Sequence, residues 1–254
     1  MIETHGLTKN FGALRAVDGL NLDIPQGEFF AFLGPNGAGK TTTIKMLAGL
    51  LKPGAGSVRV AGFDIQREPT AAKRLISYVP DFPFLYDKLT PREFLRFVGE
   101  LYEMPPAAII QQTGALFEQF HLTDYHNELI ENLSHGTRQR VAIAAGLLHD
   151  PRVFIIDEPM VGLDPMHARI VKDEFKARSR AGCTLFLSTH TLSVAEEMAD
   201  RIGIIHHGRL IALGTVDELR RQNASADGAL EKIFLSLVDA EEKHREQVLA
   251  TTNK

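Results

Sequence analysis

Phe29-Phe30-Ala31-Phe32-Leu33-Gly34-Pro35-Asn36-Gly37-Ala38-Gly39-Lys40-Thr41-Thr42 is the stretch from which the fold is read. Five apolar residues bounded by turn residues read as a buried strand. Gly34 to Thr41 then matches the phosphate-loop pattern G-x-x-x-x-G-K-[ST]. Its glycines let the backbone curl so that successive N–H groups face one anion. Lys40 adds a point charge for the β- and γ-phosphates, and Thr41 offers a hydroxyl to Mg²⁺. A helix starts near Lys40 and continues through the apolar stretch 42–51. Its positive end points at the same anion. Strand, loop and helix in that order predict an α/β fold.

Other short apolar runs extend this frame: Leu75–Val79, Val153–Asp157, Thr184–Ser188 and Ile202–Ile205. Helical patterns between several of them indicate a parallel sheet covered by helices. Residues 1–27 and about 56–66 are rich in strand and turn signals and suggest a small antiparallel layer. Residues 83–150 carry almost no strand signal. There Thr90-Pro91-Arg92-Glu93 reads as a helix start, with Thr90 as N-cap and Glu93 completing a capping box. Further helical stretches around 107–120 and 137–148 make this a helical lobe inserted into the α/β core. Leu230, Ile233, Phe234 and Leu237 lie at helical spacing and predict an amphipathic C-terminal helix, packed on the body or on a partner. Residues 241–254 are mostly polar and are expected to fray.

The 254-residue length suits one compound domain, here residues 1–220 with a tail over 221–254. Hydrophobic residues are 44% and charged residues 24%, which excludes a disordered or collagen-like chain. With 28 basic and 32 acidic residues the net charge is −4, which argues against a broad nucleic-acid footprint. The single cysteine, Cys183, rules out an internal disulfide and a cysteine zinc site, and reads as a small buried hydrophobe. No signal peptide is visible at Met1, and no apolar run approaches the ~20 residues that a membrane helix needs. The expectation is a cytoplasmic, soluble protein whose membrane association runs through a partner.

A second chemical signal is Val153-Phe154-Ile155-Ile156-Asp157-Glu158, an apolar strand ending in two acids. At the carboxyl end of a parallel sheet Asp157 is placed to hold Mg²⁺, and Glu158 to polarise an attacking water. Together with Leu133-Ser134-His135-Gly136-Thr137-Arg138-Gln139-Arg140, these residues resemble the nucleotide-binding subunit of an ATP-binding cassette (ABC) transporter, over roughly residues 1–220. The resemblance implies a P-loop NTPase with a RecA-like parallel core. The family signature reads LSGGQ followed by RQR; His135 replaces a glycine and Thr137 the glutamine, while Ser134 and Gly136 are kept.

The resemblance assigns further residues. Gly162-Leu163-Asp164 resembles the D-loop, and His190 the switch histidine at the γ-phosphate. Phe11 stands where a tyrosine usually stacks on adenine. Asp81 stands where glutamine usually reaches Mg²⁺. ATP binding is thus expected from Phe11, the residues Gly34, Pro35, Asn36, Gly37, Ala38, Gly39, Lys40, Thr41 and Thr42, and from Asp81, Ser134, Gly136 and Asp164. Mg²⁺ binding is expected from Thr41, Asp81 and Asp157, and catalysis from Glu158, His190 and Lys40. The implied partners are a membrane permease and a second cassette packed head to tail, so that Ser134 of one subunit meets ATP on the other. Phe82, Phe84 and Leu85 either pack the lobe or meet the permease. The C-terminal stretch 230–235 resembles exporter-type cassettes. The alternatives are a regulatory cassette that does not hydrolyse ATP, and a soluble ABC ATPase of translation or DNA repair.

Overall fold

A computed structural model describes residues 1–222 and 230–252, with side chains through 221 and over 230–243. The main sheet has six strands: β3 (Phe29–Leu33), β6 (Ile76–Val79), β7 (Val153–Asp157), β8 (Thr184–Thr189), β9 (Arg201–His206) and β10 (Arg209–Gly214). Their spatial order is β10-β9-β3-β8-β7-β6. Five are parallel, and β10 returns antiparallel to β9 at the edge. The edge strand β10 was not among the strands expected from apolar runs. Its Leu210-Ile211-Ala212-Leu213 run is apolar but short, and at the sheet edge these residues are only half-buried. Strand β3 sits inside the sheet and is buried at all five positions, as its unbroken apolar stretch requires.

The second sheet is antiparallel, in the order β2-β1-β4-β5. It comprises β1 (Ile2–Phe11), β2 (Leu14–Ile24), β4 (Ala55–Val60) and β5 (Phe63–Asp64). Helix α1 (Lys40–Leu47) lies with both sheets, and Ile44, Met46 and Leu47 share one core with Ile2, Leu20, Val58, Phe30 and Phe186. Phe32 and Phe186 pack with ring centroids 5.4 Å apart. A short helix α2 (Pro69–Lys73) leads into β6.

The lobe consists of α3 (Pro91–Leu101), α4 (Pro106–Gln119) and α5 (His135–Leu147), with short 3₁₀ turns at Thr123–Tyr125 and Ile130–Asn132. The Thr90–Glu93 capping box forms in both directions, at 2.8 and 3.2 Å. The lobe shares a core with the sheet: Phe94, Leu95, Phe117 and Phe120 cluster with Val141, Val79, Phe154 and Ile156. Helices α6 (Pro165–Arg180), α7 (Leu192–Met198) and α8 (Val216–Gln222) complete the body.

The C-terminal helix α9 (Leu230–Thr252) packs on the body. Leu230 and Ile233 are buried with Leu33, Ile204 and Leu219, and Phe234 and Leu237 pack beside them. The helix is described through Thr252, and residues 253 and 254, the end of the stretch expected to fray, lie outside the described residues. Cys183 is half-buried against the lobe-side core, and burial pushes its thiol up to about 12.

Candidate functional site

The phosphate loop joins β3 to α1. Close backbone approaches dictate its glycines. A Cβ at Gly34 would lie 2.5 Å from the Ile205 carbonyl oxygen, and one at Gly39 would strike the Ala16 carbonyl. Gly39 also has φ 109°, and Gly37 φ 79°, in the left-handed region that glycine enters without penalty. Lys40 is 9% exposed, and its Nζ donates to the carbonyls of Gly34 at 2.6 Å and Pro35 at 3.1 Å. The ammonium thus lies folded over the loop. Burial lowers its pKa, opposed by the charges of Glu158 and Asp157.

Asp157 ends β7 and is 3% exposed. Thr41 Oγ1 donates to its Oδ2 at 3.2 Å, so the two proposed metal ligands meet across 116 residues of chain. Burial pushes the Asp157 carboxyl upward, and the charges of Asp81 and Glu158 push the same way. A cation beside it would reverse that penalty. Two hard oxygen donors, one of them a desolvated carboxylate, fit Mg²⁺. Asp81, just past β6, is exposed; its Oδ1 accepts from the Phe82 N–H at 2.8 Å.

Glu158 follows with φ 49°, a left-handed conformation rare for a residue with a side chain. Its carboxylate accepts from Thr189 Oγ1 at 2.9 Å and from the His190 N–H at 2.7 Å, and it pairs with His190 Nδ1 at 2.6 Å. Strands β7 and β8 are neighbours in register, Asp157 opposite Ser188. That register delivers Glu158 and His190 to the same edge. Thr189 escaped the sequence reading, because a threonine at a strand end carries no signal until the partner strand is known.

The loop opens into a cavity of about 740 Å³. Phe11 stands at its wall, 49% exposed, with Lys9 Nζ 5.5 Å from the ring centroid. Asn36, Gly37, Gly39, Lys40, Thr41 and Thr42 form another wall. His207, Arg209 and Glu241 also line it and were not foreseen. Arg209 joins Asp18 at 2.7 Å, a pairing between residues 191 apart in the chain that only the fold reveals.

The signature segment is not part of this cavity wall. Ser134 is exposed and N-caps α5, its Oγ accepting from the Thr137 N–H at 3.2 Å. The two departures from the signature have local reasons. Thr137 is buried, and its Oγ1 lies 2.9 Å from Ser134 Oγ and accepts from Arg140 Nη2 at 3.1 Å. His135 lies against Gly162, where any Cβ would collide with the ring, and beside Phe82 at 6.0 Å. A Cβ at Gly136 would stand 2.6 Å from the Gly162 carbonyl oxygen, so signature and D-loop form one joined surface. Asp164 caps α6, accepting from the Met166 and His167 N–H groups at 3.0 Å. The His167 side chain beside it holds the Asp164 carboxyl below its usual range.

Comparison with known proteins agrees with this geometry. The ABC transporter family profile matches residues 17–161. The daunorubicin/doxorubicin resistance ATP-binding protein DrrA of Streptomyces peucetius is 42% identical over 219 residues, which are 86% of this chain and 66% of that protein. The chain therefore spans just under two thirds of that relative's length. An ATP-binding subunit of an ABC transporter superposes with TM-score 0.89 at 32% identity, over 93% of this chain and 99% of that one. A dimeric ATP-binding cassette in a post-hydrolysis state, bound to ADP and Pi, superposes with TM-score 0.79 at 26% identity, over 85% of this chain and 99% of that one. The chain belongs to the ABC transporter family, as one of its ATP-binding cassettes.

Proposed function

We propose that this cassette binds and hydrolyses ATP to drive transport, in the export direction, through a separate membrane permease. The observation that carries the reading is the convergence of Lys40, Thr41, Asp157, Glu158 and His190 at one edge of the sheet. The Phe11 ring offers a face for adenine. The loop N–H groups and the α1 N-terminus receive the phosphates. To reach them, Lys40 exchanges the Gly34 and Pro35 carbonyls for phosphate oxygens. Thr41 and Asp157 would hold Mg²⁺, with Asp81 as a further proposed ligand, and the bound ion would supply charge neutralisation at the β- and γ-phosphates. Glu158 accepts the proton of the attacking water, and His190, held by Glu158 at its Nδ1, is oriented toward the γ-phosphate by that contact.

Ser134, Gly136 and Asp164 serve the site of a second cassette. None of them lines the chain's own cavity, and the exposed Ser134 at the start of α5 suits a phosphate arriving on a partner's loop. Among the described residues no helix is long and apolar enough to cross a membrane. A groove of about 230 Å³ between β6 and the lobe is lined by Pro83, Phe84, Leu85, Val98 and Tyr102. Phe84 is 92% exposed there, while Leu85 packs inward. This groove receives a permease segment, which places the cassette at the inner membrane face. Names such as that of DrrA support export, and the cargo class follows from the permease.

The decisive experiment mixes two dead subunits. Lys40→Ala removes the loop cation, and Ser134→Arg blocks the signature. A heterodimer of the two retains one complete site, so mixing restores part of the phosphate release. No recovery in verified heterodimers, or a rate linear in enzyme concentration down to monomer, would overturn the paired-site reading. Full activity in Lys40→Ala alone would remove Lys40 from the site, and absence of ATP-dependent phosphate release by the parent chain would overturn the ATPase reading itself.

A further inference from the structure

The β9–β10 hairpin turns on two residues, His207 and Gly208, both with positive φ (45° and 80°). A two-residue turn of that hand favours asparagine, aspartate or glycine at its first position, so a histidine there is unusual. Consecutive strand residues point to opposite faces. The left-handed backbone at His207 breaks that alternation and brings the His206 and His207 rings together, with centroids 4.2 Å apart. Both Nε2 atoms face one oxygen of Glu242, on α9: His206 at 3.3 Å and His207 at 3.0 Å. The three ligand atoms all lie within 4.8 Å of one another.

We propose that His206, His207 and Glu242 form a site for a divalent transition metal of the Zn²⁺ class, clamping the C-terminal helix to the β9–β10 hairpin. Two imidazoles and one carboxylate are a donor set that suits Zn²⁺, Co²⁺, Ni²⁺ or Cu²⁺ and disfavours Mg²⁺. Zinc bonds of about 2.0–2.2 Å at tetrahedral angles put neighbouring donors roughly 3.3–3.5 Å apart, close to the two separations seen. His206 is 4% exposed and anchored in β9, so one ligand is rigid before the metal arrives. His207 and Glu242 are about half exposed and leave the site open to solvent.

The site has a short mechanical path to the nucleotide cavity. Gly208 N–H donates to the Ala38 carbonyl of the phosphate loop at 2.8 Å, and Asp18 N–H donates to the Gly208 carbonyl at 2.9 Å. His207 and Glu241 themselves line the cavity. Metal binding would therefore hold a carboxylate-bearing helix at the mouth of a pocket built for an anion. The inference stands on the hairpin geometry and is independent of whether the chain hydrolyses ATP.

The test uses the full chain without an affinity tag, stripped of metal, with excess Mg²⁺ to occupy hard-oxygen sites. Zn²⁺ is titrated against a chromophoric chelator. One equivalent per chain is expected to bind at micromolar concentration or tighter, with at least tenfold loss in His207→Asn and in Glu242→Gln. His207→Asn suits the left-handed turn, and Glu242 is on the surface, so both variants keep the fold; metal-free thermal unfolding checks this. Co²⁺ should show the intense visible bands of tetrahedral coordination in the parent chain and not in the variants. Amide exchange over 230–243 should slow with Zn²⁺ only in the parent. Absence of stoichiometric binding, or equal binding by parent and variants, would overturn the proposal.

Discussion

The phosphate loop and the signature segment carry comparable sequence motifs and are built in opposite ways. Around the loop, everything converges inward: Lys40 is buried, Thr41 meets Asp157, and Glu158 meets His190 within a single chain. Around the signature, everything is tied backward. Arg140 is 4% exposed and donates to the Phe120 and His121 carbonyls at 2.6 and 2.9 Å, and Thr137 joins Arg140 to Ser134. What remains in front, Ser134 at the mouth of α5, is exposed. One region is a site and the other is a surface supported from behind, and this asymmetry suits the proposed pairing with a second cassette.

The largest effect should fall on the loop side. Glu158→Gln keeps the shape of the site and removes the proton acceptor, so ATP binding persists while phosphate release falls on the order of 10²–10⁴-fold. Near-normal turnover would remove Glu158 from catalysis and collapse the contrast between the two regions. On the signature side the expected loss is in stability. Arg140→Met leaves the buried Phe120 carbonyl, the His121 carbonyl and Thr137 without their charged donor, and should cost about 2 kcal/mol in denaturant unfolding. A neutral result would mean that α5 is held by apolar packing alone. If phosphate release fell far more than unfolding stability, Arg140 would belong to the site rather than to its support.

A pH titration separates the regions further. His149 follows α5, stacks on Tyr102 with centroids 3.5 Å apart, and has its pKa pushed down by burial to about 4. Its neutral form is favoured in the folded chain. The stability it contributes is present above the unfolded value near 6.5, and is lost as pH falls toward the folded value of about 4. Acid should thus loosen the lobe, and His149→Phe should flatten the decline of melting temperature between those limits. An unchanged slope would assign acid sensitivity elsewhere. Asp157 works in the opposite sense. Its raised pKa means that its burial costs stability once it ionises, so the free chain gains from acid at that site while Mg²⁺ binding weakens.

The smallest effect is expected at Asp81, on the connection between the two regions. Asp81→Ala should raise the Mg²⁺ needed for half-maximal ATPase activity by a few-fold, with Asp81→Gln nearer to the parent. Unchanged magnesium dependence and rate in Asp81→Ala would exclude it from the metal site and leave the Phe82 N–H as its partner.

How much of this was legible in advance depends on the range of the interaction. The strand Phe29–Leu33, the glycine loop, the Thr90–Glu93 cap and the acidic end of β7 could be read from residues a few positions apart, because periodicity, positive φ and capping are local requirements. The order of motifs along the chain also points to the family. On the same basis His135 and Thr137 are only departures from the signature. Their neighbours, Gly162 and Arg140, turn them into fitted parts.

The sequence by itself determined the α/β class, the anion-binding loop and the acidic end of β7, since each follows from local backbone geometry or from charge, whereas His190 was singled out by the family resemblance. Only the tertiary structure decided which of them meet. Strand register sets Glu158 against Thr189 and His190, a crossing of 116 residues sets Thr41 against Asp157, and the path of α9 brings Glu241 and Glu242 to the nucleotide cavity and the His206–His207 turn. Those meetings depend on sheet order and on one buried core closing over another, and no local stretch of chain contains that information.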